Sequence, residues 1–428
     1  MAGLLLAAAL PPAAQAQISL STAVSLAEKN SPTVRAAAAG VWQARAGLSQ
    51  STDVYYPSFS LGSSVGPPPY GFPLGNPDIY DVDAQSLVFS FSQHDYTRAA
   101  RASLRAAVLN LKDAQQQVAL DVALDYVELD HDLKEIAALG DEKNDADQLV
   151  QIEQQRVAAG VDPRLAELRA ELTGAQVSEK SIHLQNDADE ARQRISHLTG
   201  LPGDGLDTID SSIPAVPRFA PVADGQLRDS NPGLAAQYAD AQSRFFTAFG
   251  DERQNHRPSI GFGLKYQRFA KYQNFQEYYH NFQQNNISAG IQVTIPIFDP
   301  SLKAKAQASA ASAARAQAQA DASRDQLSEA TLQMRRSIDE LAAQQRVAQI
   351  QDEISEEQLR SVESELTSGS GSPAAPAASP IQAEQARIEE RERYEDMLDS
   401  SFALMKVELN LLRATGQITT WVQSSLKE

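Results

Sequence analysis

Four short stretches of the chain alternate apolar and polar residues with a period of two. Phe59, Leu61 and Val65 alternate with Ser58, Ser60, Gly62 and Ser64. Leu87 and Phe89, extended by Phe91, alternate with Ser86, Ser90 and Ser92, although Val88 interrupts the pattern. Ile260, Phe262, Leu264 and Tyr266 alternate with Gly261, Gly263, Lys265 and Gln267. Ile287, Ala289, Ile291, Val293, Ile295 and Ile297 alternate with Ser288, Gly290, Gln292, Thr294 and Pro296. Successive side chains of a strand point to opposite faces, so each stretch predicts a strand with one greasy and one polar face. Such strands suit a half-buried sheet, or a barrel with lipid outside and water inside. Each runs about 9–11 residues, the length that crosses a bilayer when tilted.

Elsewhere the spacing is helical. Ala23, Leu26, Ala27, Val34, Ala37, Ala38 and Val41 predict helix over Ser19–Tyr56, broken at Asn30-Ser31-Pro32 and ended before Pro57. His94–Ala159 holds no proline and a single glycine, Gly140; Pro300–Ser368 holds no glycine and no proline after its first residue. At 1.5 Å per residue each predicts a helix of about 100 Å. Breakers follow both, Gly160-Val161-Asp162-Pro163 and GSGSPAAPAASP (Gly369–Pro380), and shorter helices resume over Arg164–Leu198 and Ile381–Ala414. These are two helical hairpins. The segments Gly66–Asp81 and Arg268–Asn285 have no such period and read as long surface loops.

The elements come in two ordered sets. Asn30–Gln50 is echoed by Ser230–Gly250, PSFSLG (Pro57–Gly62) by PSIGFG (Pro258–Gly263), Leu87–Ala107 by Val293–Ala313, and HLTG (His197–Gly200) by RATG (Arg413–Gly416). The same order with a nearly constant offset means a duplicated unit. The expected division is therefore a leader at 1–16, a first repeat at 17–200, a linker at 201–225, a second repeat at 226–416 and a tail at 417–428. The apolar run Leu4–Leu10 followed by Ala14-Gln15-Ala16 resembles a signal peptide with its cleavage site, the alternative being a disordered tail.

Composition narrows the functional classes. Mean hydropathy is −0.36, and the long helices are rich in Ala, Gln and Ser, so they pack through small side chains rather than around a thick core. The formal net charge of −18 argues against nucleic acid as a partner. There is no cysteine, hence no disulfide, thiolate metal site or lipid-modified N-terminal Cys. The six histidines are scattered without a metal-ligand spacing. Asp121, Asp125, Glu128, Asp132 and Glu135 form a stripe at helical spacing, read as a solvated face that at most binds cations weakly. Gly261-Phe262-Gly263 does not join a strand to a helix as a phosphate loop does. No catalytic constellation is present, so the chain reads as a non-enzyme that needs no cofactor and no metal.

Four strands cannot close a membrane barrel, and an open sheet edge cannot sit in lipid with its amides unpaired. If the strands are membranous, several chains share one barrel: two copies give eight strands, three give twelve and room for a lumen. The fold class is then an α+β membrane protein, a shared β-barrel with four strands per chain continued by a long α-helical barrel, built from two tandem repeats. Phe59, Leu61, Phe89, Phe91, Phe262, Ile291 and Ile295 should face lipid; Ser60, Ser90, Gly263, Lys265 and Gln292 should line the lumen.

These features resemble the TolC-like outer-membrane efflux protein family over nearly the whole chain, Ile18 to about Ile418. The resemblance rests on the stretch Ala23–Pro32, the two P-S-[FI]-x-x-G strand starts, VTIPIF (Val293–Phe298), the R-x-x-x-G turn (Arg156–Gly160) and the two T-G helix ends. It implies a homotrimer in the outer membrane with its helical barrel in the periplasm. It also implies a transport duct served by a periplasmic adaptor and an inner-membrane transporter. The alternative is a soluble periplasmic coiled-coil scaffold without channel activity. The resemblance places adaptor docking at the hairpin ends, Arg156, Ala159, Gly160 and Val161 on one side and Leu366, Ser368 and Gly369 on the other. It also implies an aspartate ring at the periplasmic aperture. Here the corresponding stretch, PIQAEQARIEE (Pro380–Glu390), has no Asp, and Glu384, Gln382 and Gln385 are the candidates nearest to those positions.

Overall fold

The computed structural model describes residues 16–63, 78–217, 224–269, 284–368 and 379–424. The segment 1–15, Val65 and Gly369 lie outside the described residues, as do 66–77 and 270–283 of the two long loops. Two compact units emerge. One comprises Met1–Ala36, Lys112–Asn231 and Asp325–Glu428; the other comprises Ala37–Leu111 and Pro232–Arg324. Each takes a part of both sequence repeats, because the long helices carry each repeat from one unit into the other.

In the first unit a short strand β1 (Ala16–Ile18) runs parallel to β4 (Leu206–Thr208). Helix α1 (Leu20–Asn30) starts at Ser19, whose hydroxyl accepts the Thr22 amide, and stops at Ser31, held extended by the following proline. Pro32 then opens α2 (Pro32–Asp53), where its missing N–H costs nothing. The two helical hairpins follow the sequence reading closely: α3 (Phe91–Ala158) with α4 (Arg164–Thr199), and, after α5 (Asp224–Ser230) and α6 (Pro232–His256), α7 (Pro300–Ser368) with α8 (Pro380–Ala414). The segment read as a C-terminal tail contains a further helix, α9 (Ile418–Ser424), because Ile418, Trp421 and Val422 fall on one face and are buried.

Tyr126 of α3 is fully buried, and its hydroxyl gathers the first unit. It donates to the Ile18 carbonyl at 2.7 Å and accepts the Ile209 amide at 2.7 Å. Leu409, Leu411, Leu412 and Ile418 are fully buried in this unit, each worth about 1.5–3 kcal/mol by removal from water. The Trp421 indole donates to the Pro214 carbonyl at 3.2 Å.

The duplication is visible as two matching elbows in this unit. In the first, the Asn30 amide donates to the Thr199 carbonyl and α4 ends on Gly200 with φ +78°. In the second, the Asn231 amide donates to the Ala414 carbonyl at 3.0 Å and the chain turns on Gly416 with φ +75°.

The second unit holds an antiparallel sheet, order β2-β3-β5-β6, made of β2 (Ser58–Gly62), β3 (Asp78–Ser90), β5 (Ser259–Phe269) and β6 (Asn285–Thr294). Its helical part is packed through small side chains, as the composition implies: Ala99, Ala102 and Ala106 of α3, Ala236, Ala239 and Ala241 of α6, and Ala313, Ala316 and Ala320 of α7 are buried. Polar ties add register. The Tyr238 hydroxyl donates to Asp321 at 2.7 Å, and Arg253 reaches the buried Asp95 carboxylate at 2.8 Å.

Candidate functional site

Strand register sorts the sheet into two faces. Phe59, Ala84, Leu264 and Ala289 share one row, and Leu61, Val82, Tyr266 and Ile287 the next on the same face; Phe262 with Ile291, and Phe89, Ile260 and Val293, continue it. This face is most open on the edge strands, where Leu61 is 76% and Ile291 71% accessible, whereas Ala84 at its centre is buried. The opposite face carries Ser60, Asp83, Lys265 and Ser288 in one row, with Gly263 and Gln292 nearby. The Lys265 ammonium lies 3.9 Å from Asp83. Among the described residues, β2 and β6 are edge strands with one partner each.

Three strand assignments change. Phe91 begins α3 instead of continuing β3, and Ser90 is buried at the junction, where its hydroxyl accepts the Gln93 amide at 3.3 Å. The serine spacing that extends the alternation serves a helix start there, so Phe91 leaves the sheet, while Ser90, opposite Ser259, ends β3 on the polar face. Ile295 lies just beyond the end of β6 at Thr294; Pro296, which follows it, has no N–H for a ladder. Val88 is an extra residue in β3, with Leu87 opposite Gly261 and Phe89 opposite Ile260. This bulge reverses the alternation, which puts Leu87 on the polar face and Ser86 on the apolar one.

Two aromatic pairs frame the apolar face, and of their residues only Tyr80 lies outside the alternating runs read from the sequence. Tyr80 and Tyr266 pack with ring centroids 5.9 Å apart near the loop end, with the Arg268 guanidinium over Tyr80. At the helix end Phe89 meets Phe91 edge-on at 4.8 Å, and Arg257 sits over Phe91. The signal was present as aromatics flanking each alternating run, the arrangement favoured at membrane interfaces.

The first hairpin turn is a left-handed cap. Gly160 has φ +70°, its amide reaches Val157, and the Val161 amide closes back on the Arg156 carbonyl at 2.9 Å. Arg156 pairs across the turn with Asp162, which holds the Asp162 carboxyl below its ordinary range. Ala159 is exposed, as are Val161, Leu165, Leu168 and Leu172, so the turn and the start of α4 carry an uncovered apolar strip. On the second hairpin, Leu366 is exposed near the end of α7 and Ser368 is its last residue.

The aperture candidates are otherwise engaged. Glu384 is buried within its own chain and pairs with Arg387 at 3.1 Å, while Arg387 also holds Glu363 at 3.1 Å. Burial raises the Glu384 pKa, with Arg387 opposing the shift. A carboxylate covered in this way is not a solvated outer acid, the plainer reading of an acidic residue on this helix. Gln382 is spent on the α8 cap: its side chain accepts the Ser379 amide at 2.8 Å, and the Ser379 hydroxyl accepts the Gln382 amide. Gln385 is exposed.

The acidic stripe of α3 is not a solvated face. Arg194 binds Asp125 at 2.6 Å and Glu128 at 2.9 Å. Asp132 and Glu135 are buried. Burial, reinforced by Asp399, pushes the Glu135 pKa up to about 7. Burial opposes charge on His131, but hydrogen bonds with Asp132 and Asp399 override it and raise its pKa to about 9. Stripe position was legible in the sequence. The partners were not, because Arg194, Lys180 and Asp399 lie on α4 and α8, far along the chain.

A family model described as "Outer membrane efflux protein" matches residues 82–201, from β3 to just past the end of α4. Among solved structures, CusC, whose report describes transmembrane channel formation, aligns with a TM-score of 0.76 at 15% identity, covering 94% of this chain and 92% of that one. VceC, an outer membrane protein of Vibrio cholerae, aligns with 0.73 at 15%, covering 93% and 96%. The Campylobacter jejuni CmeC outer membrane channel aligns with 0.73 at 13%, covering 93% and 85%. The fold is that of the TolC-like outer-membrane channels. No curated protein sequence matches the chain. Among the described residues of this TolC-like chain no helix is long and apolar enough to cross a membrane.

Proposed function

We propose that the chain is one protomer of an outer-membrane exit duct, in which three copies pool their strands into a twelve-stranded barrel and their helices into a periplasmic tunnel. The observation that carries this reading is the four-stranded sheet, with an uncovered apolar face and two open edges, attached to helices of 68 and 69 residues. Water favours covering that face, which lipid would do, and lipid requires that both edges be paired, which joining β6 of one copy to β2 of the next would do. Phe59, Leu61, Phe89, Phe262 and Ile291 would then face lipid. The polar row through Ser60, Lys265 and Gln292 would face water.

The duct passes small molecules or secreted substrates delivered by an inner-membrane transporter through a periplasmic adaptor. The adaptor docks on the hairpin ends, where Arg156, Ala159, Gly160, Val161, Leu366 and Ser368 lie. Likeness to outer-membrane channels and to the outer-membrane efflux family supports the transport role. Conductance of the detergent-purified protein in planar bilayers tests it, alongside restoration of drug efflux in a strain lacking its own exit duct. A water-soluble, non-conducting protein would point instead to a periplasmic scaffold.

A further inference from the structure

The buried polar groups between α3, α4 and α8 include one set with the make-up of a cation site. His131 and Glu135, four residues apart, project from the same face of α3, and Asp399 approaches from α8. One ligand atom from each lies within 4.8 Å of the others. The imidazole is already oriented. Its Nδ1 is 3.2 Å from the buried Asp132 carboxylate, and its ring stacks on Phe402 with centroids 4.6 Å apart. Its Nε2 faces Asp399 at 3.1 Å.

Asp132 on Nδ1 fixes the orientation of the ring, as the second partner of a metal-bound histidine does, and Nε2 would exchange its proton and its bond to Asp399 for a cation shared with that carboxylate. The second observation is Glu135. It is 2% accessible, and its Oε1 has no hydrogen-bond partner. The Lys180 ammonium is 3.9 Å away, and Lys180 is paired with Glu395. Around this point Asp132, Glu135, Glu142, Glu395 and Asp399 face Lys180 and His131, an excess of carboxylates that a divalent cation would relieve. Asp399 is 61% exposed and leaves an entry path.

We propose that His131, Glu135 and Asp399 form a divalent metal site that ties α3 to α8, with Asp132 as the positioning partner of His131. One imidazole and two carboxylates suit zinc among the common divalent ions, with water completing the shell; magnesium, which prefers oxygen ligands, suits it less. The site includes no strand or hairpin-end residue, and it does not depend on the transport reading.

The test uses the full chain in detergent, stripped with a chelator and titrated calorimetrically with Zn²⁺, then with Mg²⁺. One Zn²⁺ per chain is expected. Asp399→Asn should weaken binding about tenfold or more, and Asp132→Asn about ten- to a hundredfold. Co²⁺ should give visible absorption bands that His131→Gln removes. Because Asp399 lies at the surface, its variant keeps the fold even if a buried substitution does not. No Zn²⁺ uptake, or equal affinity in wild type and Asp399→Asn, overturns the proposal. Mg²⁺ binding as tight as Zn²⁺ and indifferent to His131→Gln also overturns it, since that is diffuse attraction to carboxylates.

Discussion

Gly200 and Gly416 occupy the same place in the two repeats, yet alanine should be tolerated at one and not at the other. Both have left-handed backbone, φ +78° and +75°, where a Cβ costs about 1–2 kcal/mol by itself. At Gly200 the added methyl would lie 3.2 Å from the Asn30 side-chain nitrogen, and a side chain can retreat by a few tenths of an ångström. At Gly416 it would fall on the Ser230 carbonyl oxygen, with the carbonyl carbon 2.9 Å away. That carbonyl is backbone at the end of α5, and the next residue, Asn231, is fastened to Ala414. Moving it breaks the elbow and adds about 1–3 kcal/mol of overpacking. Gly200→Ala should therefore cost about 1–2 kcal/mol and Gly416→Ala about 2–5 kcal/mol, the extra ~1–3 kcal/mol raising local opening roughly five- to 150-fold. Hydrogen exchange read by mass spectrometry on the purified protein measures this directly. In Gly416→Ala, amides of α9 and the last turn of α8 should lose protection; in Gly200→Ala, those of α4 should change little. Equal deprotection at both elbows would refute the backbone-contact argument.

A Cβ at Gly160 meets no atom within 4 Å and the turn around it is exposed, so Gly160→Leu should cost mainly the left-handed strain, about 1–2 kcal/mol, and leave assembly intact. If the turn docks an adaptor, drug efflux is lost at normal trimer abundance, and full resistance in that variant rejects the docking role. On the sheet, Phe262→Arg should destabilise the membrane-inserted protein by about 2–4 kcal/mol near mid-bilayer and Gln292→Arg by far less. Equal tolerance in heat-modifiability gels would invert the face assignment. Burial, with Glu395 and Glu392 nearby, pushes the Glu142 pKa up to about 7. The folded state then holds a proton that the unfolded state releases near its ordinary value of 4.5, so this group removes stability as pH rises from about 4.5 to 7. Glu142→Gln should raise the unfolding temperature at pH 8, by up to about 2 kcal/mol of stability, and leave it unchanged at pH 4. The same gain at both pH values would show that charge is not the cause.

Periodicity made the strands, the long helices and the repeat legible, because each buries or exposes one face with a fixed step. It failed where two signals overlap. Ser90 and Phe91 fit a strand alternation and a helix start equally well, and Val88 looked like noise when it was a bulge. The hairpin cap at Gly160 was readable because glycine and the following proline act locally. The surroundings of Glu384, Asp125 and Glu135 were not, because burial there is decided by Arg387, Arg194, Asp399 and Lys180, three of which lie on other helices. Charge type and helical spacing say that a face is acidic; they do not say what covers it.

The sheet order β2-β3-β5-β6 has a kinetic consequence. The contact between β3 and β5 joins the hairpin of one repeat to the hairpin of the other inside a single chain, and the free edges, β2 and β6, also come from different repeats. In a closed ring of such chains, half of the hairpin-to-hairpin contacts are already made when each chain folds. Those contacts form at an effective concentration set by the linker, not by how many copies the cell has made. Only the remaining half must wait for a diffusional encounter. Duplication thus halves the number of events that dilution can slow, and a chain cut within its linker should assemble with a steeper dependence on its own abundance.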